Sequence, residues 1–242
     1  MKILFACDLD NTLIHSYKHK IDGDICIEIY NGREQSFISS RAVELLTEIN
    51  KKILFVPVTT RSVEQYQRIK WLDGTTPKFA VVSNGANLLN NGEINSEWRQ
   101  DFYKIIQPYK NEFDEQTKKL SQNKNFTICR MVDESFLFLK CTEDADKNKI
   151  VSELQAATNL NVQISGLKIY FFPPKLTKGA ALLKLKNIFE PVKTFAAGDS
   201  DIDISMLNVA DVAFAHKNLK LEHKNLIAFD STDFLEKILE II

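Results

Sequence analysis

The stretch FACDLDNTLIH, residues 5–15, decides how the chain is read. A run of core-type residues stops at two aspartates, Asp8 and Asp10, two positions apart. A buried strand gains from apolar side chains at its end, whereas two neighbouring carboxylates repel each other. Either they sit in an ordinary turn, or they are held at a strand end for chemistry. The same arrangement recurs downstream. Ile53–Val58, ILFVPV, ends in TTRS, and Phe79–Ser83, FAVVS, ends in NGAN. Val192–Ala197 ends in GDSDID. Continuous rather than alternating apolar runs suit parallel strands covered on both faces.

Helical patterns separate these runs. Ser39–Lys51 places Ala42, Leu45, Leu46 and Ile49 at helical spacing behind a Ser39 or Ser40 cap. Ser62–Leu72, Thr177–Phe189 with Thr177 as cap, Ile202–Asn208 and Asp233–Ile241 read as further helices, and Lys2–Cys7, Val212–Ala215 and Leu226–Phe229 as further strands. Strand–helix–strand order predicts an α/β fold, a doubly wound, mostly parallel Rossmann-like sheet. The rhythm breaks in the middle. Trp98–Leu120 reads as largely helical, and Phe126–Val132 with Ser135–Cys141 as a hairpin turning at Asp133-Glu134. Glu143–Thr158 is a helix, and Asn161–Ser165 with Lys168–Pro173 a second hairpin turning at Gly166. Residues 87–172 are therefore expected to form an inserted α+β cap domain, and residues 1–86 with 173–242 the core.

Bulk properties narrow the class. The 242 residues suffice for a core domain with a smaller companion. A net charge of -1 gives no general attraction to nucleic acid or to anionic membranes, so neither is expected as a partner. The apolar run Ile3–Cys7 is too short for a signal peptide, and no stretch approaches the roughly 20 apolar residues that span a bilayer. A cytoplasmic location is the expectation. Cys7, Cys26, Cys129 and Cys141 form no C-x-x-C pair, so free thiols are expected rather than a zinc or redox site.

Ligands of open α/β sheets bind at the carboxyl ends of the strands. This chain places there Asp8, Asp10, Asn11 and Thr12, then Thr59, Thr60 and Arg61, then Ser83 and Asn84, then Asp199, Ser200, Asp201 and Asp203. Lys178 opens the helix before the last group. Crowded carboxylates need a cation, and all-oxygen ligation suits Mg²⁺. A phosphate ester would need its charge neutralised, which a metal, a lysine, a threonine hydroxyl and backbone N–H groups can do. One carboxylate can attack phosphorus, and a second can protonate the leaving oxygen and then activate water.

DLDNT at Asp8–Thr12 resembles the D-x-D-x-T signature of the haloacid dehalogenase superfamily. Thr59 in TTR, Lys178 in LTKGAAL and GDSDIDISML at Gly198–Leu207 resemble its second, third and fourth motifs, in order. An insertion between the second and third motifs resembles subclass IIB, the Cof-type and sucrose-phosphatase-like branch. The resemblance implies Asp8 as nucleophile and Mg²⁺ ligand, and Asp10 as acid/base with its main-chain carbonyl on the metal. It implies Thr59 on the phosphoryl oxygens, Lys178 on the nucleophile and phosphate charge, Asp199 as the second metal carboxylate, and Asp203 behind them, beside Lys178. Thr60, Arg61 and Asn84 would lie at the substrate cleft. Two departures stand out. Ile202 occupies a position where related chains often carry Asn, and Asn11 one where Gly is common.

The implied activity is a Mg²⁺-dependent phosphatase for a small phosphorylated metabolite, a sugar phosphate by resemblance, working through an aspartyl-phosphate. A phosphomutase would need extra cations in the cap, for which Arg99, Lys104, Arg130 and Lys140 are candidates. A non-catalytic binding protein would not need the intact set, and a dehalogenase would not need Asp10. Asp201 reads better as a helix N-terminal charge than as a site residue. His15 and His19 read as loop histidines, Lys118-Lys119 as a solvated helix face, and Tyr170-Phe171-Phe172 as packing in the inserted unit, with a substrate wall facing the cleft as the alternative.

Overall fold

The computed structural model describes residues 2–242. In chain order it contains β1 (Ile3–Cys7), β2 (His15–Ser16), β3 (Asp24–Tyr30), β4 (Arg33–Ser39), α1 (Ser40–Lys52), β5 (Leu54–Pro57), α2 (Val63–Gln67), β6 (Phe79–Val82), β7 (Asn87–Asn90), β8 (Glu93–Ile94), α3 (Ser96–Ile106) and α4 (Lys110–Leu120). There follow β9 (Phe126–Val132), β10 (Phe136–Cys141), α5 (Lys147–Ala156), β11 (Asn161–Ser165), β12 (Lys168–Phe172), α6 (Lys178–Phe189), β13 (Lys193–Gly198), α7 (Ile204–Leu207), β14 (Val212–His216), β15 (Leu226–Phe229) and α8 (Phe234–Glu240).

The fold is mixed α/β around a parallel sheet in the order β15-β14-β13-β1-β5. A parallel bridge from Val58 to Val81 adds β6 beyond β5. Alternation along β1 explains why its run is apolar throughout. Leu4 and Ala6 pack with Leu182 and Leu185 of α6, while Phe5 and Cys7 pack with Leu45, Leu46 and Ile49 of α1 and Phe234 of α8. Helices cover both faces, so neither register meets water. Ser39 caps α1 through the Ala42 N–H at 3.1 Å, and Thr177 caps α6 through the Ala180 N–H at 3.0 Å.

The two hairpins of the inserted unit form a four-stranded antiparallel sheet, β11-β12-β10-β9, with α4 and α5 on one face. The Asp133-Glu134 turn lies where the sequence places it, with positive φ at both residues. The Asp133 carboxylate accepts from Val63 N–H at 2.8 Å and from the Ser83 hydroxyl, tying this sheet to the rim of the parallel one.

Three segments differ from their expected form. α2 ends at Gln67 instead of Leu72, because the backbone beyond it is drawn to another strand: Lys70 N–H donates to Ile27 O at 2.7 Å. Pro108 separates α3 from α4 within the expected helix 98–120. Residues 87–94, grouped with the inserted unit on sequence, extend the β6 edge instead: β7 pairs with β6, and β8 with β7. A further sheet, β2-β4-β3, was not anticipated at all; it follows β1 directly. No helix among the described residues is long and apolar enough to cross a membrane, and the four cysteines are free thiols.

Candidate active site

β1 delivers Asp8 to the sheet edge, where its N–H still bonds Ala197 O of β13 at 2.9 Å. The chain then wraps tightly. The Leu9 carbonyl accepts from the N–H groups of Thr12, Leu13 and Ile14 at 3.2, 3.0 and 2.9 Å. Asn11 takes φ 65°, a left-handed angle that Asn adopts more readily than most residues, so its standing in a Gly position carries little strain. This turn brings Asp8 and Asp10 to one rim.

Lys178 is 2% exposed and bridges two carboxylates, Asp8 Oδ1 at 2.5 Å and Asp203 Oδ1 at 2.6 Å. Asp203 is fully buried, and its Oδ2 accepts from Asp199 N–H, Ser200 N–H and Ser200 Oγ at 3.2, 3.0 and 2.8 Å. Two glycines allow this close packing. A Cβ on Gly198 would lie 2.4 Å from Asp203 Cβ, and one on Gly179, beside Lys178, would lie 2.2 Å from the Ser205 carbonyl oxygen. Burial works against the Lys178 cation, but the charges of Asp203 and Asp8 more than compensate and keep it protonated.

Oxygens of Asp8, Asp199 and Asp203 all lie within 4.8 Å of one another. Asp203 is saturated by its donors, which leaves Asp8 and Asp199 as open ligands. The Thr12 hydroxyl stands between them, 3.1 Å from Asp199 Oδ1 and 3.4 Å from Asp8 Oδ2. Its single proton serves one at a time. Burial pushes both carboxyls above their ordinary range, offset in part by Lys178 and reinforced by Asp203. Two crowded hard oxygen donors of this kind fit a divalent cation.

Asp10 lines the same recess but is held by a different partner. Arg61 grips its carboxylate in a bidentate fork, Nε to Oδ2 and Nη2 to Oδ1, both 2.8 Å. Burial alone would raise Asp10, but this guanidinium draws it down to about 2, so the ionised form is favoured. Arg61 is itself committed further, to Glu28 Oε2 at 2.8 Å and Ser36 Oγ at 2.9 Å on the β3–β4 hairpin. Expected to face substrate, its fork is instead spent on protein partners. Arg68 adds Nε to Glu28 Oε1 at 3.1 Å.

Thr59 is fully buried, its Oγ1 accepting from Arg61 N–H at 3.2 Å, whereas Thr60 lines the recess with Asp8, Asp10, Lys178 and Asp199. Asn84, expected at the cleft, is buried and donates to Leu176 O at 3.0 Å. Ile202 lines the recess and puts an apolar surface where an amide was expected. Sequence reasoning missed Glu28, Ser36 and Arg68. The signal for their hairpin was present: Asn31-Gly32 lies between two extended runs, and both residues take positive φ. The histidines stay apart from this centre. His15 and His19 line another cavity, of about 700 Å³, beyond the Thr12 turn, and His15 Nε2 lies 2.6 Å from Asp24 Oδ2.

Comparison with known proteins bears on the family and the fold. The sequence profile of the haloacid dehalogenase-like hydrolases matches residues 93–230, more than half of the chain. A phosphoglycolate phosphatase of Sulfurisphaera tokodaii is 28% identical over 218 residues, 86% of this chain and 88% of that protein. A sucrose-phosphatase structure from Synechocystis superposes with TM-score 0.66 at 16% identity, covering 99% of this chain and 98% of that one. A trehalose-6-phosphate phosphatase related protein superposes with TM-score 0.62 at 15% identity, covering 99% and 96%. The two structural likenesses concern the fold.

Proposed function

The chain belongs to the haloacid dehalogenase-like hydrolases, and on that premise we propose a Mg²⁺-dependent phosphatase acting on a small phosphorylated metabolite. One observation carries this reading: Lys178 clamps Asp8 at the mouth of β1 while Asp199 shares the Thr12 hydroxyl with it. The related proteins named above supply two substrate classes, a sugar phosphate and phosphoglycolate.

In the first step an Asp8 oxygen attacks phosphorus. The new O–P bond forms as the bond to the leaving oxygen breaks, and Asp10 gives that oxygen its proton. In the second step Asp10 takes a proton from water, whose oxygen attacks phosphorus. The bond to Asp8 then breaks, returning its carboxylate and releasing inorganic phosphate. Lys178 fixes the orientation of Asp8 and faces the phosphoryl charge; Thr59 and Thr60 lie at the same rim. Asp10 must hold a proton for the first step, and its ion pair with Arg61 governs how readily it does. A bound Mg²⁺ would be held by Asp8, Asp199 and the Asp10 main-chain carbonyl, and would offset charge on the transferring group. In the same proposal the inserted unit beyond β8, residues 95–172, acts as a cap that excludes bulk water and selects the substrate.

The test is phosphate release from a panel of phosphorylated sugars, phosphoglycolate and an aryl phosphate, with Mg²⁺ and with chelator. Turnover that needs Mg²⁺ and vanishes in Asp8→Asn is expected. Metal-independent turnover, or turnover that survives Asp8→Asn, would overturn the mechanism. A requirement for an added sugar bisphosphate would identify a phosphomutase instead.

A further inference from the structure

The antiparallel sheet β11-β12-β10-β9 has two unlike faces. Alternation puts Leu137, Leu139, Ile169 and Phe171 among the buried residues of the core. The opposite face looks into a cleft of about 420 Å³ that opens beside Asp10 and Thr60. Register places Arg130, Phe138 and Tyr170 in one row across three strands, and Ile128, Lys140 and Lys168 in the next. The Tyr170-Phe171-Phe172 stretch is thus split, with Tyr170 on the cleft and Phe171 in the core.

The cleft is lined by five cations, Arg61, Arg68, Arg130, Lys140 and Lys168, against two carboxylates, Asp10 and Glu28. Both carboxylates are already taken, Asp10 by Arg61, and Glu28 by Arg61 and Arg68. Arg130, Lys140 and Lys168 form no ion pair among the described residues. Lys168 alone of the three also lines the recess that holds Asp8, Lys178 and Asp199. The Arg130 guanidinium lies 5.6 Å from the Phe138 ring, which steadies it over the same wall. Phe136, Phe138 and Tyr170 give that wall an apolar backing, which strengthens a charge interaction in front of it. A neutral polyol would leave these cations without a counter-charge.

We infer that the substrate's leaving group carries a second anionic group, a carboxylate or a further phosphate, bound by Lys168 with Arg130 and Lys140 extending the wall. This rests on the phosphatase reading above and names its substrate class. A short leaving group would place its anion at Lys168, beside the recess; a longer one would reach Arg130 and Lys140.

The test compares kcat/KM, with Mg²⁺, on phosphoglycolate, a sugar bisphosphate, glycerol phosphate and an aryl phosphate. The native chain, Lys168→Met, Lys168→Arg and Arg130→Gln/Lys140→Gln are run together. The native chain is expected to favour an anionic leaving group over glycerol phosphate by about tenfold or more, the range of one charge-assisted contact. Lys168→Met should collapse that ratio, and Lys168→Arg should retain most of it. Loss on phosphoglycolate with Lys168→Met indicates a carboxylate; loss on the bisphosphate with the double variant indicates a second phosphate. A native preference for glycerol phosphate, or an equal loss on charged and neutral esters, would overturn the inference. Binding decides it separately from turnover. With Mg²⁺, phosphonoacetate should bind the native chain about tenfold tighter than methylphosphonate, and Lys168→Met should erase the difference. Failure to hydrolyse any ester would sink the phosphatase reading, while equal binding of the two phosphonates would sink the anion wall.

Discussion

Replacing Asp203 with Asn tests whether the Lys178 clamp holds the site together. Asp203 Oδ2 accepts three hydrogen bonds, from Asp199 N–H, Ser200 N–H and Ser200 Oγ, and Oδ1 accepts a fourth from Lys178. An amide has one oxygen. Turned toward the 199–200 loop, it sets its NH₂ against the Lys178 ammonium; turned the other way, it sets NH₂ against three donors. Asp203 is fully buried and Lys178 2% exposed, so water rescues neither arrangement. Breaking one side of a buried pair of this kind costs roughly 3–5 kcal/mol. In a chain of this length that corresponds to a fall in Tm of roughly 6–20 °C. Thermal melting at pH 7, followed by circular dichroism, reads it directly. Lys178→Met alone also destabilises, since it strands Asp8 and Asp203. The double variant removes both sides, so its loss should fall short of the sum of the singles by about 2 kcal/mol or more. A melting point for Asp203→Asn within about 2 °C of the native chain, or strictly additive losses, would refute the reasoning.

Gly179→Ala should destabilise by roughly 1–3 kcal/mol in urea unfolding and lower kcat, because its Cβ meets the rigid Ser205 carbonyl and displaces the start of α6 with Lys178. Arg61→Lys should lower kcat by roughly ten- to a hundredfold with little change in KM, since an ammonium cannot span both Asp10 oxygens; a raised KM with kcat unchanged would return Arg61 to a substrate-binding role. Glu28 is buried, which alone would raise its pKa, but Arg61, Ser36 and Arg68 bring it below its ordinary value. Its stabilising contribution is therefore present above the unfolded carboxyl pKa of about 4.3 and lost as pH falls through the lower folded value. Glu28→Gln should thus cost roughly 2 kcal/mol at neutral pH, a difference that shrinks on acidification, and a gap independent of pH in urea melts would contradict this.

Much of the frame was legible because each reading rested on a local rule. Continuous apolar runs marked the parallel strands, and Ser39 and Thr177 announced the helices they cap. The four polar strand ends identified the rim, and Asp8, Lys178, Asp199 and Asp203 do converge there. What stayed hidden depends on contacts between distant segments. Nothing near Arg61 in sequence says that its fork will close on Glu28 and Ser36, 33 and 25 residues earlier. Lys70 breaks its helix for a carbonyl in that same hairpin. The hairpin itself was readable. Asn31-Gly32 and Asn91-Gly92 both adopt the positive φ that tight hairpin turns require, and each joins paired strands. Their strands are short or largely polar, so an apolar search passes over them. Lys168 gained meaning only once pairing showed which face of β12 meets the cleft, and the same pairing decides that Tyr170, but not Phe171, lies on it.

The central claim is that Asp8 attacks phosphorus. The direct measurement is an acid-quenched reaction of the native chain with a radiolabelled aryl phosphate, whose leaving oxygen needs little help from an acid, in Mg²⁺, followed by peptide mapping. Label on the peptide that contains Asp8, absent in Asp8→Asn and more abundant in Asp10→Asn, where the water step lacks its base, is the predicted result. Steady phosphate release with no label on that peptide at any quench time, in the native chain or in Asp10→Asn, would contradict it.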